Sequence, residues 1–532
     1  MSKRLAIVFF VVIGFCIFLV AGFCLTLFLA PGFSAFGVKY IRSDIHLVNT
    51  GKYYLSDTKV MNGDQHLGNI IVETSEVPVN VIYTEDHEYA FEYYDNYSGF
   101  TTSKFDDPSL SITKDEEGNI VFKVTEYKKF VYESSSSKRY FNIYVPLLLV
   151  SDATGYSKSL TVKTGSATIS FSKEVEDDAR VPAHNTLSII TKSGKIKYKN
   201  TNVRATTLNI TTNNTIKLYG DANKEAFATH YNLESKLGRI IIKGNVSGNV
   251  SAKTNSGDIE LISCKNLKVE TSFGDLLSSA NGGKINVQGI VNIKTKAGSV
   301  TLGDVNGSGK STILTGGGSV TIDKIKTADI TTKRGSVKIN SVTDAKIETN
   351  VGKVTVEESL NSINVKTKRG NIVLGGTGIK MNNATVFTRS GKVNIKSASG
   401  TVDVETVSSN INFTNTDSQN IKIVCGKKLV ATKLTGVVNI VANADTDLTF
   451  EKITNTTNIQ ANDSCKYIKV TAENNTERDT KFYFAGKSVV RYEDEAKVKE
   501  GTTIQNDSNV NLQAYIKIEG KNAEIHAYFK KP

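Results

Sequence analysis

Apolar and polar residues alternate in short runs from residue 160 to about residue 440, and a glycine interrupts most of these runs. Around Gly335, for example, Ile330 and Thr332 precede the glycine, and Val337 and Ile339 follow it. Alternation with a period of two is typical of a β-strand with one buried face. Each unit is therefore predicted to be a strand, a tight turn, a second strand and a variable connection.

One six-residue pattern recurs at the predicted turn: Thr, two variable residues, Gly, one variable residue and an aliphatic residue. Ser235 replaces Thr in one copy, and Ser409 replaces Gly in another. We expect glycine here because it adopts backbone conformations that β-branched residues resist, and we expect each Thr to hydrogen-bond to the Thr of the next unit. The turn glycines are Gly194, Gly238, Gly257, Gly274, Gly298, Gly318, Gly335, Gly352, Gly370 and Gly391.

The spacing of these turns distinguishes between all-β architectures. Successive turns from Gly238 to Ser409 lie 17 to 24 residues apart, and 17 residues are too few for a βαβ crossover. An antiparallel meander or sandwich also has short, evenly spaced strands, but it does not explain why one turn recurs in every unit. The predicted fold is therefore an all-β solenoid, a rod like a parallel β-helix, with roughly 13–15 coils.

The sequence outside the repeat predicts further segments. These are a cytoplasmic head (1–4), a transmembrane helix (5–30), a linker (31–46), an aromatic-rich β cap (47–159), the solenoid (160–440) and a C-terminal β region (441–532). The caps are expected because a bare terminal coil is an exposed sheet edge. The run 5–30 has no charge and is long enough to span a bilayer, which favours an uncleaved single-pass anchor over a signal peptide. We expect the C-terminal mass to be extracellular.

A strand at Phe141–Pro146, a short linker, the segment 160–162 and the glycine-centred units together resemble the bacterial putative-adhesin family. The resemblance covers roughly residues 47–440. It implies a membrane-anchored or secreted β-solenoid with an aromatic-rich start, and it brings no catalytic residue.

Basic residues concentrate at four successive turns of a chain whose net charge is +12. Stacked coils are expected to align them in one outward ridge, which could hold an anionic polymer or lipid surface. The alternative is a solvated basic face that only resists aggregation. The members of this predicted basic ridge are Lys333, Arg334, Lys353, Lys368, Arg369, Arg389 and Lys392.

Other residues that resemble functional motifs are interpreted as structural. The segment 307–312 (GSGKST) looks like a phosphate loop, but it lacks the first glycine of that motif and continues as a strand, so we interpret it as a loop of the solenoid. Asp258 and Asp275, one residue after turn glycines, are interpreted as turn-forming residues. The six histidines have no metal-like spacing and are interpreted as surface residues. Cys425 lies in an apolar alternation and is expected in the core.

The sequence thus predicts a non-catalytic, adhesin-like cell-surface protein for adhesion or envelope organisation, with no cofactor or metal. The expected partners are an anionic cell-envelope polymer, a glycan or a host surface, together with the membrane through the N-terminal helix, and no nucleic acid. Two alternatives stay open: a polysaccharide-acting β-helix enzyme and a self-associating envelope scaffold.

Overall fold

The computed structural model divides the chain into two compact units, residues 1–234 and residues 235–532. The residues that it describes are 11–22, 34–35, 38–42, 49–54, 69–85, 88–96, 98–101, 109–125, 132–133, 138–147, 159–174, 181–199, 203–219, 226–280, 282–376, 381–431, 434–450, 457–473, 480–485, 487–492, 495–500, 503–505, 514–519 and 524–530.

Nearly all of this structure is β, and it forms a β-solenoid of about 14 turns, as the repeat predicts. The strands of the first unit are Ser34–Ala35, Val38–Arg42, Asn49–Tyr54, Ile70–Glu73, Val79–Thr84, Glu88–Asn96, Ser98–Thr101, Ser109–Lys114, Ile120–Thr125, Tyr132–Glu133, Lys138–Pro146, Leu160–Thr164, Ile169–Lys173, Ala183–Thr191, Ile196–Lys199, Val203–Thr212 and Ile216–Tyr219, and the strand Ala226–Ser235 ends at the boundary of the second unit.

The second unit holds the most regular part of the repeat. Its strands are Ile240–Lys243, Asn249–Thr254, Ile259–Glu260, Ser263–Cys264, Leu267–Thr271, Leu276–Leu277, Ile285–Val287, Val291–Thr295, Val300–Val305, Ser311–Thr315, Val320–Thr332, Val337–Thr349, Val354–Thr367, Ile372–Leu374, Asn383–Thr388, Val393–Ala398, Thr401–Thr406, Ile411–Cys425, Lys428–Ala431, Leu434–Ala442, Thr446–Phe450, Thr457–Ala461, Tyr467–Glu473, Thr480–Ala485, Lys487–Tyr492, Glu495–Glu500, Thr503–Gln505, Ala514–Glu519 and Glu524–Lys530.

The coils stack in parallel, with the repeat residues in register. In the second unit, Thr254 pairs with Thr271, and the pairing continues through each following threonine to Thr406. Such pairing aligns identical side chains in columns that run from coil to coil. The threonine column of the predicted repeat is therefore a real feature of the fold.

The alternating residues of each strand fill the core. In the strand Leu267–Thr271, Leu267, Val269 and Thr271 are buried, whereas Lys268 and Glu270 point to solvent. Full burial of a Val, Leu or Ile side chain contributes about 1.5–3 kcal/mol, so a few aliphatic residues in each coil supply much of its stability. One inward face per strand is what the period-two pattern predicts.

Parallel coils also occur outside the predicted range 160–440. In the first unit, Ile70–Glu73 pairs in parallel with Leu160–Thr164 on one side and with Ile120–Thr125 on the other. In the second unit, Tyr467–Glu473 pairs in parallel with Glu524–Lys530. In the coil at Ile70–Glu73, Val77 stands where the repeat has the turn glycine, which explains why the pattern is harder to see there.

The N-terminal run forms a helix over residues 11–22 in the described part of the chain. Among the described residues, no helix combines the length and the apolar character needed to cross a membrane. The rest of the predicted span, residues 5–10 and 23–30, lies outside the described residues.

Candidate functional site

The candidate site is built on the turns between the first and second strand of each coil. In most coils the backbone N–H of the turn glycine donates a hydrogen bond to the threonine hydroxyl three residues earlier, as in Gly274 to Thr271 at 3.0 Å and Gly298 to Thr295 at 2.9 Å. Ser235 takes the same role for Gly238 at 2.9 Å. The buried hydroxyl therefore closes its own turn.

Bonds between threonines of adjacent coils, which the sequence predicts throughout, occur at two described places. Thr332 and Thr349 lie 3.0 Å apart at their hydroxyl oxygens, and Thr367 and Thr388 lie 2.8 Å apart. In these coils Thr332 and Thr367 donate to the carbonyl oxygens of the glycines of their own turns. The threonine hydroxyls thus bond mainly within their own turns, and at a few places, such as Thr254 to the Gly238 carbonyl at 3.2 Å, they also bond along the stack.

The turn glycines are required for a different reason from the one predicted. None of those from Gly257 to Gly391 has a φ in the left-handed region, so the conformational argument is wrong for them. Instead, a Cβ on Gly335 would overlap the carbonyl oxygen of Gly318, and a Cβ on Gly318 would overlap that of Gly298. The glycines stack directly on one another, and no side chain fits between them.

This stacking aligns the turn side chains along one edge of the second unit. Backbone hydrogen bonds join successive turns, from Arg334 to Gly316 at 3.0 Å, from Arg369 to Asn350 at 2.8 Å and from Ser408 to Arg389 at 3.0 Å. The two residues between the threonine and the glycine of each turn lie outside the core. We call this row, from Lys236 to Ser408, the turn edge.

The seven residues of the predicted basic ridge all lie at this edge or directly beside it. Lys333, Arg334, Lys368, Arg369 and Arg389 occupy turn positions, whereas Lys353 and Lys392 directly follow turn glycines. All seven are exposed, and none forms an ion pair within the described part of the chain. Coils lie about 4.8 Å apart, within the screening length of about 8 Å in physiological salt, so neighbouring charges reinforce one another.

Two further cations of the turn edge were not included in the predicted basic ridge. Lys236 and Lys296 hold turn positions in earlier coils, and both are exposed. They were missed because neutral turns separate them from the densest basic cluster. Their position in the repeat could nevertheless have identified them, since each directly follows the Ser or Thr of its turn.

An open groove of about 720 Å³ lies at the turn edge beside Lys333 and Arg334. It exists because Ala297, Gly316 and Gly317 leave successive turns with little or no side chain. Five cations and one acid line it: Lys253, Lys294, Lys296, Lys333, Arg334 and Glu270. The groove therefore extends the basic surface toward earlier coils.

The other sequence candidates have structural roles. Asp258 accepts a hydrogen bond from the backbone N–H of Asp275 at 2.9 Å, and Asp275 accepts one from Ser299 at 2.6 Å, as expected of turn-forming residues. The phosphate-loop-like segment continues as the strand Ser311–Thr315, and the amino group of Lys310 lies 2.7 Å from a carboxylate oxygen of Asp329. Within the described ranges, no group of three or more potential metal ligands occurs.

One histidine and two cysteines away from the edge are buried and have structural roles. His184, interpreted from the sequence as a surface residue, is instead buried, and its Nε2 lies 2.8 Å from the Tyr83 hydroxyl. Cys264 and Cys425 are core residues, and burial raises the pKa of their thiols to about 12 and about 11. A neutral, buried thiol is a poor nucleophile, so both behave as small apolar residues.

Comparison with known proteins supports the fold. The family model described as Toastrack DUF4097 matches residues 67–288, and a Toastrack domain is a solenoid. No curated protein and no solved structure matches the chain. The resemblance seen in the sequence is thus supported for a Toastrack domain within a β-solenoid, whereas the adhesin label stays a prediction.

Proposed function

We propose that this protein is a non-catalytic cell-surface module that binds anionic cell-envelope polymer through the basic ridge on its turn edge. The observation that carries the proposal is the set of seven exposed cations on four successive turns. The twenty turn positions from Lys236 to Ser408 include no acidic residue, so nothing at these positions offsets that charge.

The architecture favours a long, flexible polyanion over a small ligand. Each coil offers one or two cations, and the long side chains of Lys and Arg can adjust to an irregular chain of charges. A polymer that spans several coils interacts with all of them, whereas a small anion meets only one or two. A glycan or host surface that carries similar charge would bind through the same chemistry.

The proposed setting is the outside of the cell, with the chain anchored by its N-terminal segment. The uncharged run 5–30 supports an anchor of this kind. An anchored module that binds envelope polymer would link the membrane to the surrounding layer. In this way it would serve adhesion or envelope organisation.

Charge reversal tests the proposal. We expect the combined variant Lys333→Glu, Arg334→Glu, Lys368→Glu and Arg369→Glu to bind long-chain polyphosphate at least about a hundredfold more weakly, which corresponds to about 0.7 kcal/mol for each reversed charge. Binding is measured by titration of the full chain in an uncharged detergent. The fold should persist because all four side chains are exposed.

A matched control separates the ridge from net charge. The variant with Lys265, Lys268, Lys396 and Lys422 changed to Glu undergoes the same charge change at exposed positions away from the turn edge. This control should keep most of the polyphosphate affinity. Equal losses in the two variants would show that only total charge matters and would refute a role for the ridge.

A further inference from the structure

Large apolar side chains project into solvent from the turn edge that carries the basic ridge. Leu237 is 64% exposed, Phe273 is 68% exposed, Val351 is 44% exposed and Val407 is 50% exposed. All four occupy positions between the threonine (Ser235 for Leu237) and the glycine (Ser409 for Val407) of a turn. The repeat does not require apolar residues there, because Asn, Ser, Lys and Arg fill the same positions in other coils.

The four apolar residues alternate with cations along one row. From Lys236 to Ser408 the twenty turn positions hold seven Lys or Arg residues and no Asp or Glu. Nine coil spacings of about 4.8 Å give this row a length of roughly 43 Å. Phe273 and Val351 are four coils apart in it, and Lys296, Lys333 and Arg334 lie between them.

Exposed apolar side chains beside cations fit an anionic lipid bilayer better than a dissolved polyanion. A dissolved polyanion is held by the cations and gains little from isolated apolar side chains between them. A lipid bilayer with anionic headgroups offers both a negative surface and an apolar layer just beneath it. Apolar side chains at the tips of turns can enter that layer while neighbouring Lys and Arg stay among the headgroups.

We propose that the turn edge docks on the surface of an anionic lipid bilayer, with Leu237, Phe273 and Val351 inserted among the lipids. The proposal rests on the proposed function, because the same cations attract the surface, and it adds the bilayer as a second anionic partner of the edge that binds envelope polymer. The groove beside Lys333 and Arg334 gives headgroup phosphates a recessed site between basic side chains.

The absence of tryptophan from the chain allows a direct test. Phe273→Trp places one fluorescent reporter on the turn edge. Leu360→Trp places the control reporter at another exposed apolar position, 56% exposed, in the strand Val354–Thr367 and away from the turns. Each full-length variant is incorporated into vesicles of neutral lipid or of neutral lipid mixed with phosphatidylglycerol, and both vesicle types are also made with brominated acyl chains.

In anionic vesicles we expect the emission of the tryptophan at position 273 to shift to shorter wavelength and to be quenched about twofold or more by the brominated chains, since an inserted ring lies near the acyl-chain boundary. The control tryptophan at position 360 should keep the emission of an exposed indole. Adding the four ridge reversals to Phe273→Trp should abolish the shift.

Emission at position 273 that stays that of an exposed indole in anionic vesicles would overturn this inference, and would point to a soluble polymer or an acidic protein as the partner. The polyphosphate titration would still decide the proposed function by itself. If the ridge variant bound polyphosphate as well as the parent, the proposed function would fail even with an inserted tryptophan.

Discussion

The substitution Gly318→Ala is expected to destabilise the second unit by on the order of 3 kcal/mol, although it adds a single methyl group. The added Cβ would overlap the carbonyl oxygen of Gly298, and that oxygen belongs to the backbone of the neighbouring coil. A backbone atom cannot move aside as a side chain can. The two coils must separate locally, which also weakens the strand pairing on both sides of the turn.

The neighbouring glycine supplies the control. A Cβ on Gly317 would have the Cα of Ala297, at 3.9 Å, as its nearest neighbour, and Gly317 is exposed. Gly317→Ala should therefore change stability by less than about 0.5 kcal/mol. Denaturation of the full chain followed by circular dichroism compares the two variants. Similar midpoints for both would contradict the stacked-glycine explanation of the repeat.

The second large effect is expected from Thr271→Val. Valine fills nearly the same volume, but it removes the hydroxyl that accepts the hydrogen bond from the Gly274 N–H at 3.0 Å. The N–H is then left buried without this partner, which costs about 1–3 kcal/mol. Amide hydrogen exchange should speed up at Gly274 and its neighbours, while distant coils stay protected.

Thr271→Ser is the matched control, because it keeps the hydroxyl and loses only a methyl group. Ser235 already performs this function in the native chain, where it accepts from Gly238 at 2.9 Å. We expect the serine variant to retain the slow exchange of the Gly274 amide. If valine and serine raised the exchange rate equally, packing of the methyl group, and not the hydrogen bond, would be the main role of the threonine.

The regular part of the fold follows from the sequence because each coil must satisfy the same local demands. Alternation identifies the buried residues, and the shared turn fixes the register, so Thr271 pairs with Thr295 as the pattern predicts. Five of the seven basic residues hold turn positions of one edge, and Lys353 and Lys392 lie directly beside it, since in-register stacking keeps each position of the repeat in its own column.

The sequence was less informative about features that depend on contacts between different coils. The need for glycine comes from the carbonyl of another coil, which no local propensity reveals. Gly307, assigned to a loop by its spacing, also lies against backbone, and its N–H donates to the carbonyl of Gly289 at 2.9 Å. The coil at Ile70–Glu73 was missed because Val77 replaces the turn glycine, although Thr74 holds the threonine position and donates to the Val77 carbonyl at 2.8 Å. The coil that includes Tyr467–Glu473 lacks both residues of the repeat.

The exposed apolar residues illustrate the same limit. Phe273 and Val351 look unremarkable in a β-rich sequence, in which most apolar residues enter the core. In the structure both residues hold turn positions, which lie outside the core, and they therefore share an edge with Arg334 and Arg369. Position within the repeat, once the register is known, is the signal that identifies them.

The most direct test of the central claim, that the turns act together as one polyanion-binding edge, is the affinity of the unmodified chain for phosphate chains of different length. Titrations would compare long-chain polyphosphate with triphosphate over a range of salt concentrations. We expect the long chain to bind at least about a hundredfold more tightly at low salt, and to lose this advantage steeply as salt screens the edge. Equal affinity for the two, or an affinity that salt leaves unchanged, would contradict a cooperative basic edge.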